Sequence, residues 1–284
     1  YQRAECAQQG QPPGRIIYGP GKRLTIIMPV KEQLIALKTL FIKEILRFSR
    51  IWIQTILPSV ITVALYFIIF GNLIGSQIDD IKGYRYIDFI VPGMIMMTII
   101  TNSYANTVSS FYSSKFQKHI EEMLVSPMPN YIIIWGFISG GIARGVIVGM
   151  AVTLTATFFT DIQFYNLSLL ILVTLLTCIL FSLAGLINAI FANSFDDISL
   201  IPTFVPTPLT YLGGIFYSVD MLPDFWRNAS LANPIFYMVD TFRTGMLGIK
   251  DINTWVSISV IFAFVIILYT VATVLMNKGI GIRS

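Results

Sequence analysis

Histidine is almost missing: His119 stands alone in 284 residues. That excludes His-based zinc clusters and leaves few options for acid–base catalysis. The two cysteines, Cys6 and Cys178, are too few for a disulfide framework or a cysteine metal site. Charged residues make up only 12% of the chain, about half of the roughly 25% usual in soluble domains. A phosphate loop is also absent. The motif needs GxxxxGK followed by Ser or Thr, but Gly21–Lys22 is followed by Arg23 and has no glycine five residues upstream. The chain is therefore not expected to hydrolyse ATP. The net charge of +4 is too small to point to nucleic acid. What is abundant is apolar surface: 55% of residues are hydrophobic and the mean hydropathy is +0.73. Disorder is excluded from most of the chain, and an all-α polytopic membrane protein is expected.

Residues 1–27 differ from the rest. Four glycines, three prolines and four basic residues fall there, without the apolar core of a signal peptide. They read as a disordered leader or non-native extension, with a cytoplasmic arm as the alternative. The fold is expected to begin at Met28.

A bilayer core of about 30 Å needs about 20 apolar residues per helix. Six stretches meet that length: 51–74, 87–111, 132–159, 167–192, 198–218 and 253–276. Six crossings put both termini on one side. Nine basic residues precede the first span, Lys115 and Lys118 follow the second, and Lys278 and Arg283 follow the sixth. The other side has Lys82, Arg85, Arg227, Arg243 and Lys250. The excess predicts cytoplasmic termini, and it persists when 1–27 is left out.

Residues 31–50 repeat apolar positions at helical spacing, with Lys38, Lys43, Glu44, Arg47 and Arg50 between them. An amphipathic helix in the inner interface is expected, its basic side toward headgroups. The loop KFQKHIEEMLVSPMP, 115–129, reads as a short charged helix stopped by Pro127. It is either a solvated connector or a handle for a cytoplasmic protein. In the handle reading Ile120, Met123 and Leu124 give apolar contact, and Lys118, Glu121 and Glu122 give polar contact.

Arg144 lies inside the third span among Gly136, Gly140, Gly141, Gly145 and Gly149. Arginine at that depth must face protein or water, and the glycines allow close helix contact. It is expected to pair with carbonyls or an acid in the bundle, the alternative being an anionic substrate group. Asn102 and Asn106, one turn apart, should also face inward. The fifth span contains Pro202, Pro206, Pro208 and Gly213–Gly214 and should be kinked. Apolar pieces in 219–248 are too short to cross and read as re-entrant helices.

Several strings carry a family resemblance: ALYFIIFGNLIGSQI, FIVPGMIMMTIITNSYAN, the 115–129 loop, and above all FDDISLIPTFVPTPLTYLGGIFYS with LANPIFYMVDTFR. Over 28–284 the chain resembles the permease subunit of ABC-2 type exporters. The resemblance implies an inner-membrane homodimer that binds two ATPase subunits. ATP and magnesium would sit on those subunits, with no cofactor or metal on this chain. It makes 115–129 the coupling helix. Tyr66, Met97, Asn102, Thr203, Thr210 and Tyr211 are the residues expected to line a path for an amphipathic, lipid-like or drug-like cargo. A channel or secondary transporter independent of an ATPase is the competing class.

Overall fold

The computed structural model describes residues 28–78 and 80–281; the expected leader lies outside the described residues. The described chain is helical throughout. α1 (Val30–Arg50) leads into α2 (Trp52–Tyr66), which continues through π-helical turns at Phe67–Ile74. α3 (Tyr86–Phe116), α4 (His119–Val125), α5 (Asn130–Ala156) and α6 (Leu167–Phe191) follow. Then come α7 (Asp197–Phe204), α8 (Pro206–Tyr211), α9 (Asp224–Leu231), α10 (Pro234–Leu247) and α11 (Thr254–Lys278).

α3 is the centre. Its 31 residues make a rod about 46 Å long, longer than a bilayer core. It packs along α5 and α6, and 83% of its apolar window is buried. The corresponding figure is 17% for both α2 and α11, which lie at the periphery. The α5 glycines explain how the rods come so close. A Cβ on Gly141 would strike the Ser182 and Thr107 hydroxyls, and one on Gly145 would strike Ser103 and Cys178. The other glycine face receives α1: Gly136 lies under Leu40, and Gly140 under Glu44 and Asn106. Two faces of small residues thus let one helix seat three neighbours.

α1 departs from expectation. It runs along α5, burying Leu40, Glu44 and Phe48, while Leu34, Ile35, Phe41, Ile42 and Leu46 are exposed. The side turned to the bundle is therefore partly charged, because Glu44 and Arg47 find partners there. The basic side does not simply face outward.

Among the described residues five helices are long and apolar enough to cross a membrane: Trp52–Gly71, Tyr86–Phe116, Asn130–Ala156, Leu167–Phe191 and Thr254–Lys278. The stretch predicted as the fifth of six spans is not one of them. It divides into α7 and α8 at Val205. Pro206 has no N–H for the Pro202 carbonyl, and the Thr207 hydroxyl donates to that carbonyl instead, at 2.8 Å. α7 begins on a reciprocal cap: the Asp197 N–H donates to Ser194 Oγ at 3.1 Å, and Asp197 Oδ2 accepts from the Ser194 N–H at 3.1 Å. Beyond α8 the chain turns at Gly214, whose φ of +72° suits glycine.

α10 is too short to cross a bilayer, yet it is buried from Ile235 to Met246 save Tyr237. It packs against α3, α6 and α11. Arg243, fully buried, donates to the Gly214 carbonyl at 2.7 Å and lies 3.8 Å above the Phe89 ring. Asp240 accepts from the Asp251 N–H at 2.9 Å. Lys82 pairs with Asp251 and, at 3.0 Å, with Asp220. Burial lowers the pKa of its ammonium, but the two carboxylates more than offset this and hold it above the usual lysine value.

Replacing Gly145 with Leu is expected to destabilise the fold by at least about 1–3 kcal/mol through overpacking against α3 and α6. Thermal melts of purified protein in detergent check this; an unchanged melting temperature contradicts the close contact.

Candidate coupling loop and translocation face

The 115–129 loop lies at one end of the bundle, where α3 turns into α4. Lys118 occupies the left-handed region at φ +62°, which breaks the helix between Phe116 and His119. Lys115 Nζ donates to the Ile190 and Ala192 carbonyls at 2.7 and 2.8 Å. It thereby caps the last turn of α6, where a cation suits the helix dipole. Phe195, in the α6–α7 corner, meets the Tyr112 ring edge-on at 4.8 Å and Phe116 at 5.5 Å. The two loops at this end are therefore one packed unit.

The sequence assigned Ile120, Met123 and Leu124 to a partner's apolar contact. The structure turns the first of them fully inward. Ile120 is fully buried, and Met123 and Leu124 pack on the core. Ile120 seats α4, while Met123 and Leu124 are half-buried and keep part of their surface open. The outward residues are Lys118, His119, Glu122 and Val125, with Phe116 beside them. Glu121 is half-buried. Glu122 is exposed and lies 3.6 Å from His119 Nδ1.

A polar ladder climbs from this end between α1, α3 and α5. Lys43 donates to Ser114 at 3.5 Å, and Ser110 donates to Glu44 Oε1 at 2.7 Å. Arg47 approaches Glu44 Oε2 at 3.4 Å and donates to Asn106 Oδ1 at 2.8 Å. One turn further, Arg144 Nε donates to Asn102 Oδ1 at 3.2 Å, and Asn102 Nδ2 donates to Ser59 at 3.2 Å. Arg144 thus pairs within the bundle, its acceptor being the carbonyl oxygen of a side-chain amide and not an acid. An amide fits because its carbonyl accepts from the arginine while its NH2 still donates to α2 and to the Thr98 carbonyl. The ladder's rungs repeat every four residues on α3, from Asn102 to Ser114, so all lie on one helix face. Both asparagines face inward, as expected.

The adjacent face of α3, one residue round the helix, is its opening. From Phe89 to Tyr112 every residue is buried except Met97, Thr101, Ala105 and Ser109. These recur every fourth position and form one stripe. α2 borders the stripe on one side and α7–α8 on the other. Between α3 and α7–α8 is a cavity of about 370 Å³ lined by Met97, Thr101, Tyr104, Pro202, Pro206 and Thr210. Between α3 and α2 is one of about 240 Å³ lined by Ser59, Tyr66, Met97, Thr101 and Asn102. Tyr66 and Tyr211 both lie 6.3 Å from the Phe216 ring, so aromatics join the two borders. Of the six predicted lining residues, Met97 lines both cavities, Tyr66 and Asn102 one, and Thr210 the other. Tyr211 is at the aromatic junction. Thr203 lines neither; it is exposed, its hydroxyl bonded to the Ser199 carbonyl at 2.9 Å. Sequence reasoning missed Thr101 and Tyr104. The spacing of Thr101 from Met97 could have found the first. Tyr104 is reached only through tertiary contact, its hydroxyl accepting from Asn188 at 2.7 Å.

Long apolar helices around a central rod, with a short polar-ended loop helix and an apolar face of small cavities, define a helical polytopic membrane protein. The profile of the ABC-2 type transporter family matches residues 35–247, and the chain belongs to that family. It is 54% identical over 250 residues to the inner membrane transport permease YadH of Escherichia coli strain K12. That match covers 88% of this chain and 98% of the relative. The YadH protein of Shigella flexneri is similar to the same degree. Nodulation protein J of Rhizobium leguminosarum bv. viciae is 22% identical over 237 residues, covering 83% of this chain and 92% of that protein. Membership in a permease family points to a non-enzymatic membrane component.

Replacing Glu44 with Ala is expected to cost about 1–3 kcal/mol, since it leaves the buried Ser110 hydroxyl without its acceptor and removes one partner of Arg47. Replacing the exposed Arg50 with Ala should change stability by less than about 0.5 kcal/mol. Parallel thermal melts distinguish the two; equal melting temperatures contradict the ladder.

Proposed function

We propose that this chain is the transmembrane subunit of an ATP-driven exporter, coupled through α4 to a separate ATPase that holds ATP and magnesium. The carrying observation is the open stripe of α3. The most buried helix in the bundle exposes a single line of residues, and that line faces two small, largely apolar cavities. Two copies, apposed through the exposed faces of α2 and α7–α8, would enclose a shared path between their stripes. The wall chemistry suits an amphipathic cargo with an apolar body, whether lipid-like or drug-like.

Charge distribution supports placing the α4 end in the cytoplasm. In that orientation α7 and α8 together make the fifth of six crossings, while α9 and α10 enter the outer leaflet and return. Nucleotide-driven closure of two ATPase subunits would draw the α4 helices together. α3 joins that loop to the far end without interruption, so a push at Lys118 reaches the α10 end as motion of a rigid rod. The ladder carries α1 along, and Lys115 carries α6. The α7–α8 joint then bends as the stripe changes its exposure, giving alternating access and outward release.

Among the outward residues, Lys118 and Glu122 offer charge to the ATPase, and Val125 and Phe116 offer apolar contact. Glu121 contributes at the edge. The names of the similar permeases support transport as the activity; cargo and direction rest on this proposal.

Reversing Glu121 and Glu122 to Lys is expected to reduce ATPase copurification from mild detergent at least about tenfold, the loss of roughly 1.4 kcal/mol. Unchanged copurification removes α4 as the coupling site. A wild-type chain that retains no nucleotide-binding partner, after reconstitution excludes dissociation in detergent, favours the channel or carrier class.

A further inference from the structure

The α10 end has five basic residues among the described chain, and four are satisfied. Lys82 has Asp251 and Asp220, Arg85 has Asp88 at 2.9 Å, and Arg227 reaches Asp220 at 3.9 Å. Arg243 is held between a carbonyl and an aromatic ring. Lys250 is exposed and, among the described residues, has no carboxylate partner.

Lys250 lines a cavity of about 470 Å³ between the start of α6, the end of α10 and the start of α11. Ser168 and Trp255 share its rim, and Leu169, Leu172 and Ile258 form its wall. No acidic residue lines it. A second groove of about 410 Å³ continues on the other side of Trp255, along α11 to Ala263. Trp255 is 78% exposed and stands between the two. Leu172 is about 7 Å below the start of α6 and Ala263 about 13 Å below that of α11, at 1.5 Å per residue.

The chemistry is layered. A free cation and an indole lie at the level where two membrane helices begin, and apolar walls descend from there. Indoles favour the headgroup level and lysine attracts acidic headgroups. A soluble anion has no use for the apolar walls, and a free hydrocarbon has no use for Lys250. We propose that this site binds a glycerophospholipid with an anionic headgroup. Its phosphate meets Lys250, its glycerol region lies against Trp255, and its acyl chains descend on both sides of that ring. The site is on the α6–α11 flank, away from the α3 stripe, so it does not depend on the cargo or ATPase reading.

Native mass spectrometry of the purified chain, titrated with phosphatidylglycerol or phosphatidylcholine, provides the test. Wild type is expected to retain one more phosphatidylglycerol than phosphatidylcholine. Lys250→Gln should weaken that retention about fivefold, close to the effect of one basic residue at a charged surface, and Lys250→Arg should restore it. Leu172→Trp should fill the wall and reduce retention by a similar factor. Equal retention of both lipids, or of phosphatidylglycerol by wild type and Lys250→Gln, overturns the proposal. Sensitivity to Lys250 without sensitivity to Leu172 also overturns it, because the site would then bind phosphate alone.

Discussion

The close approach of α5 to α3 and α6 is the contact on which the other features rest. In hydrocarbon, helices gain little by hiding apolar side chains from lipid, which is equally apolar. They hold together where backbones come near enough for dense packing and polar side chains can bond between them. Gly141 and Gly145 supply the first condition, and their neighbours Ser103, Thr107 and Ser182 are small as well. Because α3 is seated this deeply, its polar residues can be sorted. Asn102 and Asn106 receive arginines on the inner side, while Thr101 and Ser109 are left on the stripe. The cavities exist because α3 is covered everywhere else.

Length and charge absence were enough to place the long helices. An uninterrupted apolar stretch of 25 residues has few other stable forms in a membrane. The predicted limits of α5, α6 and α11 agree with the structure within a few residues. Expectation failed where local chemistry competes with apolar length. The 198–218 stretch is apolar enough to cross, but Pro206 ends the ladder of backbone bonds at Val205. The prolines signalled a kink; the division into two helices depends on their spacing against Thr207 and the glycine turn beyond.

Sites were harder to read than spans because burial depends on partners far along the chain. Ile120 sits among charged residues and looked available to another protein, yet α4 folds back and places it in the core. Glu44 looked like part of a polar surface, but Gly140 leaves room for it under α5 and Ser110 supplies a donor. The glycines advertised close packing, but the sequence does not say which glycine serves which neighbour. Asn102 was legible as inward-facing because an amide toward lipid is costly. Its bond to Arg144 required two helices to be set side by side.

Thr207 gives the divided α7–α8 stretch a property that a simple proline kink lacks. An opened backbone in hydrocarbon normally leaves a carbonyl with nothing to bind, and the helix resists bending for that reason. Here the substitute donor sits on a side chain, and a side chain can rotate. The two halves can change their angle while the threonine follows the carbonyl. If the bond does release, the loss is that of one ordinary hydrogen bond, about 1 kcal/mol, not a collapsed helix. A threonine one step past a proline thus acts like lubricant in a bearing, letting the α7–α8 joint change its angle with its carbonyl still bonded.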